Sequence, residues 1–134
     1  MTTAIIIVDH GSRAAQSNDL LLQLVDRFSR LFGARYSIVE PAHMELAEPT
    51  IATAYARCAA RGAERIVVCP FFLGPGKHWQ RDIPALVSFA ARNSSVHDFV
   101  ITEPLGLDDL VLRLLDKRIG ESISAERTET CVHV

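Results

Sequence analysis

A chain of 134 residues with 49% hydrophobic and 22% charged side chains is long enough for one compact domain and too short for two. This balance excludes disordered and collagen-like chains, and a formal charge of −2 supplies no global field for a polyanion, so no nucleic-acid partner is expected. Apolar runs such as Ala4–Val8 and Ile66–Val68 fall far short of the roughly 20 residues that span a bilayer, so no membrane association is expected either. Cys58, Cys69 and Cys131 are odd in number and widely spaced, which argues against a disulfide scaffold or a structural zinc site. The start, Met1-Thr2-Thr3-Ala4-Ile5, leads straight into a strand-like run without signal-peptide features. The expected compartment is the cytoplasm, or the plastid stroma for a chain whose leader has been removed.

Strand and helix alternate along the chain. Ala4–Val8 is a continuous β-branched run, as in a strand buried on both faces. Leu20, Leu21, Leu24, Val25, Phe28, Leu31 and Phe32 recur at helical spacing and stop at Gly33. Arg35–Val39 reads as the second strand, closed by Pro41. Thr50–Arg61 follows Pro49 and aligns Ile51, Ala54, Tyr55, Cys58 and Ala59 on one stripe. Ile66–Cys69 is the third strand, and Asp82–Arg92 the third helix, with Pro84 in its first turn. Phe99–Thr102 is the fourth strand, and Leu107–Ile119 the fourth helix, with Leu107, Leu110, Val111, Leu114 and Leu115 as its apolar face. Four βα units predict an α/β fold: a small, doubly wound, parallel four-stranded sheet with helices on both faces, spanning residues 1–120 and followed by a polar tail, 121–134.

Ligands of such sheets bind beyond the carboxyl ends of the strands. His10 follows the first strand, His43 and Glu45 the second, and His78 the third, so three of the five histidines fall on that edge. Imidazole and carboxylate together suit a borderline divalent metal, and His10, Glu45 and His78 come from three neighbouring loops that could converge. A single loop histidine is more often a cap or a partner of a backbone carbonyl; the shared edge favours function for the group. His43, two residues before Glu45, reads as a supporting partner, and Glu48 as a carboxylate at a helix N-terminus. The segment Phe71–Trp79 mixes aromatics with Gly74, Pro75 and Gly76. Phe72, Leu73 and Trp79 could cover a flat apolar ligand, although core packing accounts equally well for Phe71 and Phe72. Lys77, Arg13 and Arg81 on the same edge would suit an acidic ligand. No phosphate-cradling loop or nucleophile elbow is present, and Asp9 before His10 would repel a phosphate.

Asp9-His10-Gly11-Ser12-Arg13, Val39-Glu40-Pro41-Ala42-His43-Met44-Glu45-Leu46-Ala47-Glu48-Pro49, Pro70-Phe71-Phe72-Leu73 with Pro75-Gly76-Lys77-His78-Trp79, and Asp82-Ile83-Pro84 closely resemble the short-chain sirohydrochlorin chelatases. The resemblance runs from about Ile5 to about Ile119, and the version with His43 and Trp79 is most similar to the plant-type ferrochelatases. It implies a class II chelatase fold and insertion of Fe(II), or of Co(II) in cobalamin-making relatives, into sirohydrochlorin, giving sirohaem in the iron case; a relative using nickel or another macrocycle is the rival enzyme reading. It also implies a homodimer, with the metal as substrate and no tightly bound cofactor. On the same resemblance His10 and His78 bind the metal and accept pyrrole protons, and Glu45 completes the metal site. Ser12, Arg13, Phe72, Leu73, Gly76, Lys77 and Trp79 are the candidate substrate-binding residues. Plant members carry a cysteine-rich end associated with an iron–sulfur cluster; Cys131 is alone in this tail, and four thiolates are usual for one, so no cluster is expected. A non-catalytic tetrapyrrole or metal carrier and a dimeric α/β interaction module are the rival readings.

Overall fold

The computed structural model describes residues 1–74 and 76–128, apart from the side chains of Lys77, His78, Trp79, Arg127 and Thr128. The strands are β1 (Thr3–Asp9), β2 (Ile38–His43), β3 (Arg65–Pro70) and β4 (Phe99–Ile101); the helices are α1 (Ala15–Phe32), α2 (Ile51–Ala60), α3 (Lys77–Arg92) and α4 (Asp109–Thr128). All strand pairs are parallel, in the order β2-β1-β3-β4. The chain steps from β1 to one side for β2, then returns past β1 to β3 and β4. The topological switch therefore lies between β1 and β3, the position outside whose strand ends open parallel sheets bind their ligands.

Side-chain alternation gives β1 two apolar faces. Ala4, Ile6 and Val8 join the larger core with Ile51, Tyr55, Ile66, Ile83 and Val87, and so pack against α2 and α3. Ile5 and Ile7 meet Leu21 and Val25 of α1 on the opposite face. The expected α/β architecture with helices on both faces is present.

Several boundaries differ from the sequence reading, each for a physical reason. Arg35 and Tyr36 donate their backbone N–H groups to the Phe32 carbonyl and close the turn after α1, so β2 begins later, at Ile38. It also continues through Pro41, because an edge strand leaves alternate N–H groups unpaired and tolerates a residue that has none. Thr50 caps α2, its hydroxyl accepting from the Thr53 N–H at 3.2 Å, and Pro49 stands outside the helix. Helix α3 starts at Lys77 rather than Asp82, since its first turn carries no apolar period to reveal it. Pro84 is consequently inside α3, with no N–H to give to the Gln80 carbonyl.

The largest departure is α4. It runs through Gly120 to Thr128, helped by the Arg118–Glu121 pair at 3.0 Å, so the expected end at Ile119 is too early. Its apolar face does not cover the sheet: Leu107, Leu110, Leu112, Leu114, Leu115, Ile119 and Ile123 are exposed, and Val111 is only half-buried. Beside α1 the sheet correspondingly carries an apolar groove of about 540 Å³, lined by residues that include Leu20, Leu24, Phe28, Leu31, Phe71 and Leu105.

Candidate functional site

The site is built by the ends of β1 and β2. Asp9 and His43 are direct partners in the parallel register. Beyond them the Met44 N–H donates to the Asp9 carbonyl at 2.8 Å, and the Glu45 N–H to the His10 carbonyl at 3.1 Å. These two backbone bonds carry Glu45 alongside His10, and the His10 Nε2 stands 2.7 Å from the Glu45 Oε1. Both side chains are about half exposed, 56% and 53%. Gly11 makes the approach possible. Its φ is +92°, and a Cβ there would lie 1.9 Å from the Glu45 carbonyl oxygen.

Two donors turned toward each other beyond the carboxyl ends of β1 and β2 suit a small cation. Metal bonds of about 2.1 Å place neighbouring donors about 3 Å apart, so His10 and Glu45 need only a small opening to share an ion. Among the described residues no cluster of three or more His, Cys, Asp or Glu side chains stands close enough to hold a metal. His78 lies in the first turn of α3, at the far side of the switch point from His10, and its side chain is outside the described residues, as are those of Lys77 and Trp79. Pro75, Cys131 and His133 are also outside them.

The remaining predicted residues are distributed as follows. Ser12 is tied into its own loop: its hydroxyl accepts from the Ala14 N–H at 3.0 Å, and its backbone is clasped by Asn18. Arg13 and Arg81 are exposed on the same edge, and Leu73 is 67% exposed. Phe72 packs against the larger core, whereas Phe71 lines the apolar groove beside α1. Gly76 is the N-cap of α3, with an extended backbone. Glu48 accepts from the Thr50 N–H and the Thr53 hydroxyl, and so belongs to the start of α2. Thiolate chemistry is disfavoured at Cys58 and Cys69: burial pushes the Cys58 thiol up to about 12, with Glu40 adding to it, and raises the Cys69 thiol as well.

Sequence reasoning missed one interaction. The His43 Nδ1 lies 2.6 Å from the Asp9 Oδ1, and the imidazole is 1% exposed. In the sequence Asp9 reads only as a group that repels phosphate; its position as the last residue of a strand is the available signal.

A protein-family model described as CbiX matches residues 4–122. The sirohydrochlorin ferrochelatase, chloroplastic, of Arabidopsis thaliana is 51% identical over 120 residues, covering 90% of this chain and 52% of that protein. A sirohydrochlorin cobaltochelatase of Saccharolobus islandicus is 30% identical over 124 residues, covering 88% of this chain and 94% of that one. Among solved structures, SirB from Bacillus subtilis with Fe3+ superposes with a TM-score of 0.82 at 27% identity, covering 90% of this chain and 47% of that one. The sirohydrochlorin chelatase SirB from Bacillus subtilis subspecies spizizenii in complex with cobalt gives 0.75 at 30% identity, covering 90% and 51%. The chain thus spans about half the length of the plant relative and of the two SirB chains, and nearly all of the Saccharolobus protein. Matched by the family model over most of its length, the chain belongs to the CbiX family.

Proposed function

We propose that the protein is a sirohydrochlorin ferrochelatase, inserting Fe(II) into sirohydrochlorin to make sirohaem. The observation that carries the reading is the His10–Glu45 pair, 2.7 Å apart beside the topological switch of a CbiX-family sheet. Insertion exchanges two pyrrole N–H protons for one divalent metal. It therefore needs a donor set that releases its ion and neutral imidazoles that take up protons near pH 7. Glu45 supplies the charge that captures Fe(II), His10 shares the ion, and His10 with His78 accepts the pyrrole protons. Exposure of the pair suits this task, because a fully enclosed metal would be retained rather than delivered. Lys77, Arg13 and Arg81 would meet the ring's carboxylates, and Leu73, Gly76 and Trp79 its face, with Ser12 and Phe72 shaping the loops behind them. The metal is a substrate, and the reading assigns no other cofactor. The work belongs in the cytoplasm, or in the chloroplast named for the plant relative; among the described residues no helix is long and apolar enough to cross a membrane.

Cobalt is the second reading, favoured by the cobaltochelatase that this chain matches almost end to end. Incubating sirohydrochlorin anaerobically with Fe(II), Co(II) or Ni(II) and following its absorbance separates the metals. We expect the largest acceleration with Fe(II), and a loss of at least about 100-fold in His10→Ala. No acceleration with any metal would overturn the chelatase reading.

The active form is proposed to be a homodimer in which α4 of each chain lies in the apolar groove beside α1 of the other. Each chain has one helix with an unpaired apolar face and one sheet face short of a helix. Reciprocal exchange satisfies both under a single two-fold axis. Covering the exposed leucines on one face of α4 and the matching groove, twice over in a symmetric pair, removes apolar surface from water at two equivalent contacts.

A further inference from the structure

We infer that the Asp9–His43 pair, a buried imidazole against a partly exposed carboxylate, is a positioning device for the candidate metal site: it fixes the ends of β1 and β2 against each other so that the His10 and Glu45 donors meet. The inference rests on the metal-site reading of His10 and Glu45.

Packing alone does not call for a polar pair here. The neighbouring buried residues are Ile5, Ile7, Val8, Val39, Ala42 and Met44, and apart from the Tyr55 hydroxyl and the Cys58 thiol His43 is the one buried polar side chain among the described residues. Removing an imidazole, and most of a carboxylate, from water is costly, and apolar replacements of buried polar pairs are often equally stable or more so. What apolar replacements lack is direction. Among the described residues the His43 Nε2 has no hydrogen-bond partner, so the polar contact of the ring is the one between Nδ1 and Asp9. That bond joins the last residue of β1 to the last of β2, which are register partners. His10 follows one residue later on one strand, and Glu45 two residues later on the other.

The surroundings turn this bond into a constraint on the site. The backbone on the β2 side is held from both directions, by the His43 N–H to the Pro49 carbonyl at 2.8 Å and by the Met44 N–H to the Asp9 carbonyl at 2.8 Å. Gly11 closes against the same residue, since a Cβ built on it would lie 3.1 Å from the His43 Cβ. A lateral slip between the strand ends would break the side-chain bond along with these backbone bonds, and would carry Glu45 away from His10. Partners that orient metal ligands in this indirect way typically change metal affinity by about 10–100-fold when removed.

The test uses Co(II) alone as probe, titrated into the full-length protein and read by its visible d–d absorbance, with a thermal melt of each preparation. Wild type should bind and His10→Ala should not; if wild type does not bind, the metal-site reading falls and this inference falls with it. Given binding, the double variant Asp9→Ala/His43→Phe should melt no lower than wild type yet bind Co(II) at least about 10-fold more weakly. His43→Asn, whose amide nitrogen can take the place of the Nδ1–H, should restore affinity to within about threefold of wild type. Should the double variant not fold, His43→Gln is compared with His43→Asn, because its amide extends toward the Nε2 position and should leave binding weak. Wild-type binding with an equally tight double variant, or with equal affinities for His43→Gln and His43→Asn, would overturn the inference.

Discussion

Replacing Gly11 with alanine should be among the most damaging single-methyl changes this fold can receive. At φ +92° an L-residue meets its own carbonyl, which costs about 1–2 kcal/mol. The new Cβ would also sit 1.9 Å from the Glu45 carbonyl oxygen and 3.0 Å from its carbon, so the segment carrying Glu45 has to retreat by roughly 1 Å. That movement stretches the bond from the Glu45 N–H to the His10 carbonyl, now 3.1 Å, a further loss of about 1 kcal/mol. The expected total is about 2–3 kcal/mol, a large share of the stability of a small domain. Gly62 provides the control: its φ is +95°, but a Cβ there meets nothing within 4 Å, so Gly62→Ala should lose only the conformational part, about 1–2 kcal/mol. Urea unfolding of the two variants isolates the contact with Glu45. Metal insertion should fall about 100-fold in Gly11→Ala alone, as a displacement of that size disrupts a reacting geometry. Equal unfolding free energies for the two variants, within about 0.5 kcal/mol, would refute the argument.

Tyr55→Phe removes a buried hydroxyl that donates to the Val96 carbonyl at 2.7 Å, so stability should drop by about 1–2 kcal/mol. Val96 precedes β4, away from the carboxyl ends of the strands, so the insertion rate should be unchanged. Cys58 should resist iodoacetamide in the native protein at pH 8.5, as judged by intact mass, because burial holds its thiol up to about 12. The same shift sets a sign for stability. An unfolded thiol ionises near pH 9 while the native one stays protonated, so this contribution is complete below about pH 9 and is lost as pH rises toward 12. Cys58→Ala should flatten that part of the alkaline decline in melting temperature. In light scattering, Leu110→Asp/Leu114→Asp on α4 and Leu24→Asp in the groove should each halve the molecular mass; wild-type mass in both variants would contradict the proposed exchange of helices.

The elements themselves were legible because each one buries a stripe or face, and burial writes a period into the residues. Helix α1 announced itself through Leu21, Val25 and Phe28, and β1 through its unbroken aliphatic run. Where no apolar period accompanied an element, its limits were invisible, as in the first turn of α3 and the last turns of α4. Pro41 misled for a related reason: it ends a central strand but not an edge strand, and which strand is the edge is not written locally. His10 and Glu45 were legible as candidates because both follow strands. That they touch was not, since 35 residues separate them.

The amino-acid order alone therefore determined the four βα units, the residues that leave the carboxyl ends of the strands, and the resemblance that those residues carry. Such features are local, set by side-chain period and by the neighbours of each strand. Only the tertiary structure decided that β1 lies between β2 and β3, that Asp9 and His43 are register partners, and that α4 keeps its apolar side chains exposed among the described residues. Strand neighbours and helix seats are outcomes of a global competition to bury apolar surface. They join residues as distant in sequence as His10 and Glu45, whose bond no local pattern encodes.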